Sequence, residues 1–195
     1  MVRAKNVLSI FTQFLAVAGI AAVLWVAVLY SMTADGSNMT AGVYNLNSFV
    51  GSLNKAFLMG IDENTLINGV PEYVLITFGL AFAIITPCIA LGGFAERIKF
   101  SAALLFSALW LVIVYAPVNH MVWGGSGALF HNWGVLDFAG GTAIHINSGV
   151  AALVGALVLG RRHGWPQTPM PPHNVVYTLV GMSFLWIGWF GFNAG

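Results

Sequence analysis

Asp137-Phe-Ala-Gly-Gly-Thr-Ala-Ile-His145-Ile-Asn-Ser-Gly149 decides how the chain is read. It opens an uncharged run over 138–160 that ends at Arg161-Arg162, with an acid at its mouth and a histidine inside it. A run of that length and polarity spans a bilayer as a helix. An ionisable ring at that depth is costly, so it faces a bundle interior or a water-filled path. On a helix, Gly141, His145 and Gly149 fall at i, i+4 and i+8 on one face. Small residues on either side of an imidazole let another backbone approach closely. The spacing therefore predicts a titratable ring at a tight helix crossing inside the membrane.

Composition agrees. Of 195 residues, 58% are apolar and 7% are charged, against about 25% charged in an average soluble domain. This excludes an ordinary soluble globule and indicates an all-α, polytopic membrane protein. A net charge of +1 without a basic patch leaves no footprint for nucleic acid. The single Cys88 reads as a small buried apolar residue, and no Cys/His cluster has zinc spacing, so neither metal nor cofactor is expected. Five runs are long and apolar enough to span: 7–30, 73–95, 100–123, 138–160 and 175–195. The first is too long for the apolar region of a secretory signal, about 7–15 residues, and reads as a retained span. At the end of the last, Gly191 and Gly195 form a small-xxx-small pair.

Six of the seven basic residues fall in three segments that five spans place on one side: Arg3 and Lys5, Arg97 and Lys99, Arg161 and Arg162. The other side holds only Lys55. The positive-inside rule then puts the N-terminus of this chain in the cytoplasm. The outer segment 31–72 carries Asp35, Asp62, Glu63 and Glu72 and reads as a solvated irregular loop with a short amphipathic helix near 50–59. Pro87 and Pro117 lie inside spans and each removes a backbone donor, which marks a kink or a cavity.

His145 can donate from one ring nitrogen and accept at the other, so it can pass a polar molecule along or make one interhelical hydrogen bond. Asp137 precedes a helix and reads first as an N-cap, with a possible electrostatic role toward a cation. Trp123 ends a span at the outer interface, where aromatic residues collect, and offers a cation–π surface. Phe82 and Phe192 are core or lipid-facing on base rates. His120 and His131 fall at or beyond the outer interface and are expected to be solvated. No nucleophile elbow, P-loop, dinucleotide fingerprint or metalloprotease helix is present, which argues against an enzyme. A haem-binding redox protein would need a second histidine at the depth of His145, and the sequence offers none.

Ala4-Lys-Asn-Val-Leu-Ser9, Ala95-Glu-Arg-Ile-Lys-Phe100, His120-Met-Val-Trp-Gly-Gly125, Asp137-Phe-Ala-Gly-Gly-Thr142, His145-Ile-Asn147 and Gly188-Trp-Phe-Gly-Phe-Asn-Ala-Gly195, in this order, resemble the ammonium transporter (Amt/Mep/Rh) family over essentially the whole chain. That resemblance implies a subunit of eleven spanning helices built as two inverted five-helix repeats, assembled as a homotrimer in the cell membrane with one pore per subunit. Residues 1–195 resemble helices two to six of that fold, incomplete at both ends, so the isolated segment is expected not to transport. By resemblance, His145 is the first of two touching pore histidines, Phe82 and Phe192 form the gate, Trp123 walls the outer vestibule, and Asp137 is the buried acid near it. The implied function is ammonium/ammonia transport: recruitment outside, deprotonation near the gate, and passage of ammonia along the pore. An ammonium sensor on the same fold, and a cytoplasmic regulatory partner of the PII type, are further implications of the resemblance.

Overall fold

The computed structural model describes residues 2–194. Five helices are long and apolar enough to cross a membrane: α1 (Ala4–Ala34), α2 (Glu72–Gly93), α3 (Phe100–Trp123), α4 (Gly141–Leu159) and α5 (Val175–Ala194). Each falls where a sequence run predicts it: α3 has the expected ends, and no end of the others moves by more than four residues. Gly195, the second half of the expected small-xxx-small pair, lies outside the described residues.

Three of the helices contain a π turn: Trp25–Leu29 in α1, Leu111–Tyr115 in α3 and Gly141–Ile146 at the start of α4. In α3 the wide turn runs into Ala116-Pro117, so the expected break at Pro117 is absorbed by i→i+5 bonding instead of an open kink. Pro87 sits within continuous α2, where the Thr86 hydroxyl donates to the Phe82 carbonyl at 2.5 Å.

The core lies where α1, α2 and α3 meet. Ala21, Trp25 and Leu29 pack against Ile76, Ala83, Trp110, Leu111 and Tyr115. The Trp25 indole reaches across Gly79, where a Cβ would stand 2.6 Å from the ring, and donates to the Ile76 carbonyl at 2.9 Å. A second cluster, Val17, Leu91, Phe94 and Ala103, fills the opposite half of the same crossing.

The crossing of α4 differs from expectation. A Cβ on Gly141 or Gly149 would meet nothing within 4 Å, so those glycines make no close approach to another helix among the described residues. The π turn also takes Gly141 out of simple i, i+4 register with His145. Close approach occurs lower, where Gly93 meets Ala152 and Gly155 meets the Phe94 ring, each with a hypothetical Cβ contact of 2.4 Å. α5 carries no buried residue among those described and meets the bundle through Phe192 and Trp189.

The segment between α1 and α2 also departs from its reading. No helix spans 50–59; a single 3-10 turn, Ala56–Leu58, has Phe57 and Leu58 at positive φ. A short hairpin pairs Leu66–Ile67 with Val70–Pro71. Two of the four acids are not solvated. Asp35 is buried and bound by the Ser52 hydroxyl and the Ser37 N–H; Glu72 is buried and holds the Tyr30 hydroxyl and the Lys55 ammonium. Burial works to raise the Asp35 pKa, and the bonds from Ser52 and Ser37 outweigh it and lower it.

The three basic segments meet at the other end of the bundle. The Glu96 carboxylate, with 1% of its side chain exposed, pairs with Arg3 at 3.2 Å and Arg162 at 2.9 Å and accepts from Asn6 at 2.8 Å. Glu96 itself sits at φ +64. Its neighbour Arg97 donates to the carbonyls of Gly160 and Gly93, closing the ends of α2 and α4 together.

Candidate substrate path

Asp137 builds the mouth of the site. Gly140, at φ +85, turns the chain sharply ahead of α4, which brings the first amides back onto the acid. One carboxylate oxygen accepts from the N–H groups of Gly140 and Gly141 at 2.6 and 2.9 Å. The other accepts from Thr142 and Ala143 at 2.7 and 3.0 Å. The capping reading of Asp137 therefore holds, and all four N–H groups that open a helix without partners are satisfied by one side chain. The Asp137 carbonyl accepts from the Trp123 indole at 2.8 Å, which ties the end of α3 to the start of α4.

His145 lies one turn further in. Its Nδ1 is 3.1 Å from the Gly140 carbonyl, which can only accept, so Nδ1 carries the proton in that bond. In the neutral ring Nε2 is then the acceptor, and it has no partner among the described residues. The ring helps line a cavity of about 340 Å³ with Asp137, Gly141, Trp189, Phe192 and Asn193.

The aromatic side chains form a chain of contacts. Trp123 and Phe82 lie 5.9 Å apart between centroids, Phe82 and Phe192 4.7 Å apart edge to face, and Phe192 and His145 5.9 Å apart. Residues from α2, α3, α4 and α5 thus converge, and all five candidates named from the sequence belong to one cluster. The sequence reading did not single out Trp189, whose ring is 5.7 Å from His145 and 5.4 Å from Phe192. Its signal was the i, i+3 spacing with Phe192 on a helix. His131 is exposed as expected, but His120 is fully buried, because α1 and the loop after it close over the end of α3.

A profile of the Ammonium Transporter Family matches residues 1–195. The chain belongs to the ammonium transporter family. It is 43% identical over 200 residues to the ammonium transporter of Bacillus subtilis (strain 168), covering all of this chain and 46% of that protein. The crystal structure of Candida albicans Mep2 matches with a TM-score of 0.78 at 33% identity, covering 92% of this chain and 38% of that one. A structure described as a sensor Amt protein matches with a TM-score of 0.81 at 26% identity, covering 98% and 47%. The chain spans less than half the length of these ammonium transporter relatives. It is a multi-pass membrane chain with part of the Amt/Mep fold.

Proposed function

We propose that the protein containing this chain moves ammonium or ammonia across a membrane, and that Trp123, Phe82, Phe192 and His145 mark the route. The observation that carries this reading is the unbroken aromatic contact from Trp123 to His145, which opens beside the acid that caps α4 and ends at a ring nitrogen whose lone pair meets no donor among the described residues. A small cation is attracted to the face of an indole, by about 0.5–2 kcal/mol depending on desolvation. A cation cannot enter the apolar stretch beyond the phenylalanines without a large solvation penalty, whereas a neutral amine pays far less. Ammonium can give a proton to solvent water at the mouth, leaving neutral ammonia to go on, and potassium has no proton to give, so the same step supplies selectivity. Beyond the gate, Nε2 of His145 accepts a hydrogen bond from the N–H of ammonia.

Asp137 contributes in this scheme through position. Its carboxylate shapes the mouth through the cap and adds negative potential there. We place the Glu96 end of the bundle in the cytoplasm by the charge distribution, with a homotrimer as the working assembly and a cytoplasmic PII-type protein as a candidate regulator at that face. A second reading, an ammonium sensor, is supported by the likeness to the sensor Amt structure.

Growth of a strain lacking its own ammonium transporters, at low ammonium and low pH, tests the proposal. The complete reading frame is expected to restore growth, and residues 1–195 alone are not. Trp123→Leu in the complete frame is expected to raise the KM for uptake. Unchanged uptake at low substrate overturns the cation–π role; an expressed, membrane-inserted frame that supports no growth overturns transport and favours the sensor.

A further inference from the structure

The two ring nitrogens of the buried His120 both face acceptors. Nδ1 lies 3.0 Å from the Thr33 carbonyl and Nε2 lies 2.8 Å from the Asn47 carbonyl. A carbonyl offers no proton, and a neutral imidazole has one N–H. Both bonds exist together only when both nitrogens carry protons. Leaving either carbonyl facing a bare nitrogen costs a buried hydrogen bond and sets two lone pairs against each other.

Thr33 is in the last turn of α1, where carbonyls have no helical partner and the helix dipole is negative. On the elements packed around this end of α3, the titratable groups are Tyr30 and Asp35 at the end of α1, Tyr44 in the strap after it, Tyr115 on α3, His131 beyond α3 and His145 in the first turn of α4; 46–48 and 124–127 carry none. The Tyr30 hydroxyl is engaged with Glu72, and Asp35 is a buried carboxylate two residues past Thr33. Space around the ring is tight, since a Cβ on Gly124 would lie 2.9 Å from Cε1 and 3.0 Å from Nδ1.

His120 is one turn before Trp123 on the same helix. The strap 33–47 that it holds lies over the turn leaving Trp123: a Cβ on Gly127 would lie 2.7 Å from Met39, and one on Gly36 3.4 Å from the Gly124 carbonyl. We propose that His120 is a positioning residue that works as an imidazolium, clamping the end of α1 and the 46–48 turn across the base of Trp123. Loss of one proton releases one of the two bonds and loosens the seat of Trp123. The protein then senses acidity on that face through its recruitment residue. The effect on uptake rests on the ammonium reading; the protonation of the ring does not.

The test uses the complete protein in lipid, with 15N-labelled histidine. The nitrogen signals of His120 are assigned by their loss in His120→Gln. Two proton-bearing nitrogens at pH 6 are expected, and one protonated with one bare nitrogen at that pH overturns the proposal. In uptake, His120→Gln is expected to raise KM about tenfold at pH 6, the scale of one charge-assisted hydrogen bond, with the maximal rate little changed. The ratio of mutant to wild-type KM is expected to shrink as pH rises to 8. A ratio that stays constant with pH, or a loss confined to maximal rate, overturns the positioning role. A protein that transports nothing overturns the ammonium reading while the nitrogen spectrum still decides the clamp. If His120→Gln does not fold, Gly124→Ala, which crowds the ring, is expected to shift the wild-type His120 signals and raise KM; no change in either overturns the clamp.

Discussion

Four N–H groups converge on the Asp137 carboxylate, so a neutral replacement is informative in a particular way. Asn offers one acceptor oxygen and turns its amide protons toward two of the N–H donors. Asp137→Asn is therefore expected to lower stability by about 1–3 kcal/mol, read as a fall in the thermal midpoint of the purified protein in detergent. If the midpoint is unchanged while uptake falls, the acid acts mainly through its charge. At His145 the Gly140 carbonyl selects the tautomer, so the bond that orients the ring also leaves Nε2 as the acceptor. His145→Ala removes that acceptor and is expected to change conduction or the ammonium-to-potassium flux ratio in the complete protein. A wild-type flux ratio would mean that the ring only packs. These roles were legible as residue types at helical spacing. The partner of His145 Nδ1 was not, because a carbonyl five residues earlier comes within reach when the helix opens with a π turn.

Helices pack where two surfaces fit, and the sequence shows only one of them. The glycines beside His145 looked like a crossing point, yet neither meets another helix among the described residues; Gly93 and Gly155 carry the approach of α2 to α4. Gly93→Val is expected to destabilise by about 1–3 kcal/mol through overpacking against the Ala152 backbone, and Gly149→Ala is expected to be neutral or slightly stabilising, since nothing among the described residues opposes its methyl and Ala favours helix over Gly. Paired thermal midpoints check this, and equal losses at both sites would refute the assigned crossing. The same blindness explains the segment 50–59. Its apolar residues suggested an amphipathic helix, but they are spent on a tight turn with two residues at positive φ, held by contacts with α1.

Glu96 joins the three basic segments of the whole bundle at one end. Burial would raise its pKa, and the bonds from Arg162, Arg3 and Asn6 more than reverse this, pulling it down to about 2. A carboxylate depressed when folded stabilises the fold fully above its ordinary pKa of about 4.3, and that stabilisation is lost as pH falls toward 2. The thermal midpoint of the native protein is expected to fall as pH drops from about 4.3 toward about 2, and that of Glu96→Gln to start lower and change less. Parallel pH curves would show that Glu96 is not the hub. The positive-inside pattern foresaw that these segments share a side. It could not foresee that an acid among them would gather two of the arginines into one network.

Composition and run length pointed to five membrane spans, because runs of about twenty apolar residues match the bilayer's thickness and a backbone in lipid satisfies its own hydrogen bonds as a helix. Motif order also carried the family, since those residue types recur at set spacings. Only the tertiary structure decided which glycines touch, that Trp189 belongs beside His145, that Asp35, Glu72 and His120 are buried, and which carbonyl each imidazole faces. Such facts depend on where surfaces distant in the chain meet, and hydropathy reports how a residue prefers its solvent without naming its neighbour.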